Sequence, residues 1–168
     1  PLFLATGASD ISEVRTTVKL IEDLDVPFCL MQCNTNYTAS LDNFKFISLN
    51  VLKSYKREFS NLVLGLSDHT PGHATVLGSI ALGARVIEKH FTKDNRSDGP
   101  DHKFSMMPED WREMVDRSRE LELALGQESK IIMENERDTA IVQRRSIRAS
   151  KNIKKGDIIS RDKLDFLR

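Results

Sequence analysis

The chain has 168 residues, 39% of them hydrophobic, which is enough for one packed domain or one domain and part of another. Lys plus Arg and Asp plus Glu balance at 25 each, so no net field recruits nucleic acid or an anionic membrane surface. No apolar run approaches the roughly 20 residues that span a bilayer, and nothing resembles a signal peptide, so a soluble protein is expected.

Four short apolar runs alternate with helical patterns. The first, Pro1-Leu2-Phe3-Leu4-Ala5, closes on Thr6-Gly7. A helix follows in which Asp10 and Glu13 stand at capping-box spacing and Val14, Val18 and Ile21 share a face. The second run, Val26 to Cys33, is too continuously apolar for a half-exposed strand and suits a buried strand of a parallel sheet. Its two cysteines, Cys29 and Cys33, would lie about 13 Å apart along a strand, beyond the roughly 7 Å limit of a disulfide. They read as reduced thiols of a cytoplasmic protein, and no zinc-type pairing accompanies them.

A polar loop, Asn34 to Ser40, precedes a helical stretch from about Leu41 to Tyr55. The third run, Leu62-Val63-Leu64-Gly65-Leu66, ends in Ser67-Asp68-His69-Thr70, and a helix through Val76, Leu77 and Ile80 stops near Gly83. The fourth run, Ala84 to Phe91, contains Glu88-Lys89-His90 and leads into a polar loop reaching Ser105. Pro108 then opens a helix with Trp111, Met114, Val115, Ser118 and Leu125 in register, stopped by Gly126. Uninterrupted βα units predict parallel strands, right-handed crossovers and helices on the sheet faces. Half of a (β/α)8 barrel and a small open doubly wound sheet both fit that pattern.

The texture changes after about Lys130. Residues 131–143 are charged, without a sustained apolar face, and read as a linker or short helix. Arg144 to Ala149 and Lys154-Lys155-Gly156-Asp157-Ile158-Ile159 form a short β-rich pattern, the start of a second, small domain over 144–168 that is too short to bury a core of its own.

Ligands of parallel α/β folds collect at the C-terminal ends of strands. Two of the four histidines, His69 and His90, sit at equivalent ends of consecutive strands, one repeat apart. Neighbouring strands are about 4.8 Å apart, so both imidazoles are within reach of a single metal ion. Asp101 follows a Gly-Pro turn that presents it, and His102 after it, in a defined direction; the same pattern also describes a solvated turn. His73, beside Pro71-Gly72, stands near a helix start, where a backbone contact is expected.

Ser67-Asp68-His69-Thr70, then Val86-Ile87-Glu88-Lys89-His90-Phe91-Thr92, then Gly99-Pro100-Asp101-His102-Lys103 resemble in this order the signature of the N-acetylneuraminate (sialic acid) synthase family. Leu4-Ala5-Thr6-Gly7 and Met31 to Tyr37 fall where that family has its preceding strand ends, and Arg145 to Ala149 with Ile153 to Asp157 is similar to the start of its antifreeze-like (SAF) module. The resemblance implies the second half of a TIM (β/α)8 barrel over 1–130, a linker over 131–143, and an incomplete SAF domain over 144–168. It implies a transferase that condenses phosphoenolpyruvate with an N-acyl mannosamine-type sugar to a nine-carbon 2-keto acid and phosphate. It also implies a divalent cation, manganese with magnesium or cobalt as substitutes, on His69 and His90. Ser67 matches a phosphoenolpyruvate contact, and Tyr37 and Asp101 match sugar contacts, with Thr35 in the same loop. Arg168 matches an arginine that the antifreeze-like domain of one subunit inserts over the acylamino group in the other, in a domain-swapped homodimer.

Three positions depart from the commonest family pattern. Ala5 stands where a serine is frequent, Thr35 where some members have asparagine, and Thr38-Ala39-Ser40 follows Tyr37 where sialate-forming members have Tyr-Pro. The version here is more similar to the branch that makes legionaminic acid from a 2,4-diacetamido-6-deoxy sugar. Family members are longer than this chain, which opens on Pro1 rather than methionine. The expectation is a piece without independent turnover, the rest supplying phosphate-binding lysines and an acidic residue for proton transfer. Two other readings compete. One is a different phosphoenolpyruvate-using barrel or an aldolase, for which Lys89 is the obvious Schiff-base candidate, although alternation turns it outside the barrel. The other is a half-barrel that binds sugar or metal without chemistry.

Overall fold

In the computed structural model, which describes residues 1–167, the alternation of apolar runs and amphipathic segments becomes four βα units. Strand β1 (Leu2–Ala5) leads to helix α1 (Ile11–Asp23), whose N-terminus is closed by the reciprocal Asp10–Glu13 capping box. Val14, Val18 and Ile21 are its buried face. Strand β2 (Phe28–Cys33) begins later than its apolar run: Asp25 turns the chain with a φ of 54°, and Pro27 follows the 40%-exposed Val26. Cys29 and Cys33 are buried free thiols.

The stretch read as one helix from Leu41 is two pieces, a 3-10 turn over Leu41–Phe46 and helix α2 (Val51–Glu58). Ser48 between them has a φ of 53°, a left-handed conformation that no helix continues through. Strand β3 (Val63–Asp68), helix α3 (Ala74–Ala81), strand β4 (Val86–Lys89) and helix α4 (Pro108–Leu125) complete the run.

The sheet order is β1-β2-β3-β4 with every pair parallel. Sequential order without a switch point is that of a half-barrel; a doubly wound sheet reverses its order partway. The core lies on the helix side, where Leu30 and Leu64 of the strands meet Val14 and Val18 of α1 and Leu52 and Tyr55 of α2. A second cluster joins Val76 and Ile80 of α3 to Met114 of α4 and to Met106. No helix among the described residues is long and apolar enough to cross a membrane.

The chain divides into two compact units, Pro1–Gly126 and Gln127–Arg168. In the second, a 3-10 turn over Glu134–Glu136 and helix α5 (Arg137–Gln143) precede an antiparallel pair, β5 (Ser146–Ala149) with β6 (Leu164–Leu167). No described residue of this unit is buried.

Candidate active site

Because β1 to β4 are parallel, their C-terminal ends share one rim. His69 and His90 are each the first residue beyond a strand, following Asp68 and Lys89, which are the last Cα partners of the β3–β4 ladder. The two imidazoles therefore leave the sheet side by side, their ring centroids 5.1 Å apart. Alternation sends Ser67 and His69 to the face opposite Leu66 and Asp68. The Asp68 face packs on helices, since its carboxylate accepts from Thr75 of α3.

His69 is buried, and its Nδ1 lies 2.8 Å from the Asn34 carbonyl oxygen. A carbonyl only accepts, so Nδ1 carries the proton and Nε2 keeps its lone pair. Burial lowers the pKa of His69 below the ordinary histidine value, outweighing the hydrogen bond to Asn34 that raises it. The ring is thus the neutral tautomer that ligates metals. His90 is half-buried, with Nδ1 3.5 Å from Asp101 Oδ2, too long for a good hydrogen bond but close enough to set an acidic group beside the second imidazole.

Tyr37 and Phe104 complete a cluster of four rings. Tyr37 stands edge-on to His69 at 4.2 Å and lies 5.6 Å from His90. Phe104, only 3% exposed, is 5.0 Å from His90 and stacks near-parallel to Tyr37 at 6.2 Å. Tyr37 itself is 57% exposed, so its phenol is available to a ligand. The loop carrying Asp101 is held firmly. Asn95 donates to the carbonyls of His102 and Ser105 at 2.6 Å each, and the Met106 N–H donates to the His90 carbonyl at 2.9 Å.

The residues expected from sequence thus separate. His69, His90, Tyr37 and Asp101 come together. Ser67 is buried on the same face as His69, beside Cys33, its Cα partner in β2. Thr35 lies at the β1 end of the rim, its methyl filling the space a side chain on Gly7 would need. Arg168 lies outside the described residues. His73 makes no side-chain cap; its carbonyl accepts from the Leu77 N–H. His102 is engaged with the Thr92 hydroxyl at 2.7 Å.

Lys89 turns away from His90 to the helix side, as alternation requires, and is buried there as an ion pair with Asp68 at 2.6 Å. A Schiff-base lysine needs a free amine facing substrate, and this one has neither property. Phe104 and the Asn34 carbonyl were not singled out in the sequence. An isolated aromatic in a polar loop was the available sign for Phe104; a backbone carbonyl leaves none.

Two imidazoles, each with Nδ1 turned to an oxygen, are a donor set that fits a divalent first-row cation. Among the described residues no group of three or more His, Cys, Asp and Glu stands together in a way that could hold a metal ion.

A family model described as the NeuB family matches residues 1–130. An uncharacterized protein of Methanocaldococcus jannaschii is 43% identical over 169 residues, covering 100% of this chain and 49% of its own length. N,N'-diacetyllegionaminic acid synthase of Legionella pneumophila is 36% identical over 173 residues, covering 100% of this chain and 48% of its own. The crystal structure of N-acetylneuraminic acid (sialic acid) synthetase from Leptospira borgpetersenii, a complex with citrate, superposes with a TM-score of 0.73 at 26% identity. That match covers 84% of this chain and 48% of the other. The chain spans about half the length of the curated relatives it matches.

Proposed function

The chain belongs to the NeuB family, and from that premise we propose that its strand-end histidines form part of the active site of a nonulosonate synthase. In the reaction, C3 of phosphoenolpyruvate bonds to the aldehyde carbon of an N-acyl mannosamine-type sugar. Water adds at C2, and the C2–O bond to phosphate breaks. The products are a nine-carbon 2-keto acid and inorganic phosphate. The observation that carries this reading is the pairing of His69 and His90 at 5.1 Å beside the exposed Tyr37.

His69 and His90 would hold a divalent cation, manganese by preference, which when bound supplies Lewis acidity toward the sugar's carbonyl oxygen. The Asn34 carbonyl keeps the His69 proton on Nδ1 and so leaves Nε2 basic. Tyr37 and Asp101 offer a phenol and a carboxylate to the sugar, contributing orientation, and Ser67 contacts phosphoenolpyruvate. That substrate is polyanionic and calls for cationic side chains. Lys89, next to His90, is committed to Asp68, so the needed cations come from beyond this cluster and the chain alone does not turn over. In this reading β1 to β4 are the second half of a (β/α)8 barrel, and residues 144–168 begin an antifreeze-like module exchanged between the subunits of a homodimer. The preferred sugar is the 2,4-diacetamido-6-deoxy type, favoured by Thr38-Ala39-Ser40 after Tyr37 and by the likeness to the Legionella synthase.

The test is phosphate release and product mass from the chain mixed with the segment of the Methanocaldococcus relative that lies outside the match. Phosphoenolpyruvate, manganese and either the diacetamido sugar or N-acetylmannosamine are supplied. Product from the diacetamido sugar, lost in His69→Ala, is expected. Release by the chain alone would refute its dependence on other residues, and preference for N-acetylmannosamine would reassign the substrate. Product that survives His69→Ala would remove the histidines from the chemistry.

A further inference from the structure

His69 and His90 lie one residue past the end of the β3–β4 ladder, so no strand pairing holds them at a common spacing. A buried side-chain network lies directly behind them. Lys89 Nζ donates to Asp68 Oδ2 and to the Thr70 carbonyl, both at 2.6 Å. Asp68 and Thr70 are the two neighbours of His69, and Lys89 is the neighbour of His90. One ammonium group on β4 therefore grips the chain on both sides of His69. The Asp68 carboxylate also accepts from the Thr70 N–H at 3.1 Å, from the Thr70 hydroxyl, and from Thr75 Oγ1 at 2.5 Å, tying the strand end to the first turn of α3. The side chains of Lys89 and Asp68 are 1% and 0% exposed, and no buried side-chain polar atom among the described residues lacks a partner.

Burying two charges is costly, and apolar residues of similar volume commonly do as well or better for stability. What such a pair adds is a fixed geometry, because its short, charge-assisted bonds tolerate little displacement. We propose that Asp68 and Lys89 are positioning residues that set the separation and facing of the two histidines from the opposite side of the sheet. This rests on the reading of His69 and His90 as a paired site. Neither residue touches substrate; both act through the backbone of residues 68–70 and 89–90.

The test uses the metal-free chain carrying isotope-labelled histidine and tyrosine. Ring-proton NOEs are expected between His69 and His90, whose centroids are 5.1 Å apart, and between His69 and Tyr37, at 4.2 Å. Lys89→Met removes the ammonium with little change of volume and is expected to abolish the His69–His90 NOE. Its manganese affinity should fall at least tenfold. Leu52→Ala opens a cavity in the core beneath α1 and α2, in a cluster that contains no residue of the network, and serves as the stability control; it should keep both properties. An unchanged NOE in Lys89→Met, or equal losses in Leu52→Ala, overturns the proposal. If Lys89→Met does not fold, Asp68→Asn/Lys89→Met, which takes both charges out of the interior, carries the same readout and the same criterion. A parent chain that shows the NOE but binds no manganese would sink the metal reading alone, and the NOE comparison still decides the positioning role.

Discussion

Chemistry at the rim depends on the protonation of a few atoms. His69 is neutral because burial disfavours its charge, and its tautomer follows from the Asn34 carbonyl. The same physics acts on the thiols. Cys29 is 4% exposed, and burial alone pushes its pKa up to about 11; burial also raises that of Cys33. At pH 8 the thiolate fraction of Cys29 is then about one in a thousand, against about a quarter for an unperturbed thiol. Since the thiolate is the nucleophile, Cys29 should react with a disulfide reagent at least a hundredfold more slowly in the native chain than in guanidinium, and Cys33 should also be slowed. Equal rates in the two states would contradict the buried placement of β2. The spacing of the two histidines and their flanking residues was legible in the sequence. Tyr37 was expected at the site only through the family resemblance; its edge-on approach to His69 was not legible, because it arises from tertiary packing of a loop more than thirty residues away in sequence.

Among the elements, β3 sits centrally with β2 and β4 on either side, and Gly65 marks its tightest point. A Cβ there would meet the Val86 carbonyl oxygen at 2.8 Å and Met31 Cγ at 2.9 Å. A backbone carbonyl in a ladder cannot move aside, so Gly65→Ala should destabilise the chain by about 1–3 kcal/mol. Urea unfolding measures this; an unchanged midpoint would show that β2 and β4 do not pack as closely as described. The order of strands and helices was readable because each has a distinct period and cap, as with Asp10–Glu13 and Val14, Val18, Ile21. Where the reading slipped, backbone conformation was the cause. Ser48 with its positive φ divides the expected helix, and Asp25 with Pro27 delays the start of β2. Neither residue type announces that conformation in a single sequence. The alternation that turned Lys89 to the helix side held, but its partner Asp68 became visible only with the strand register.

For the whole molecule, β1 and β4 each pair on one side only within the described sheet, and Leu2 and Phe3 on β1 are 42% and 57% exposed. Open parallel edges with apolar side chains are templates for further pairing, so sedimentation velocity should show concentration-dependent association across the micromolar range. A single monomeric species throughout would show that both edges are protected. The family and the half-barrel sheet stand on the comparisons and the topology together, whereas the metal and the substrates stand on two imidazoles and the residues around them. The shared site is tested most directly by manganese titration followed by electron paramagnetic resonance, which sees the free aqua ion disappear as it binds. The parent chain should take up one ion per chain, and His69→Ala and His90→Ala should each abolish that uptake with the fold intact by circular dichroism. Uptake that is absent in the parent, or unchanged in both variants, would contradict the reading of these histidines as a shared metal site.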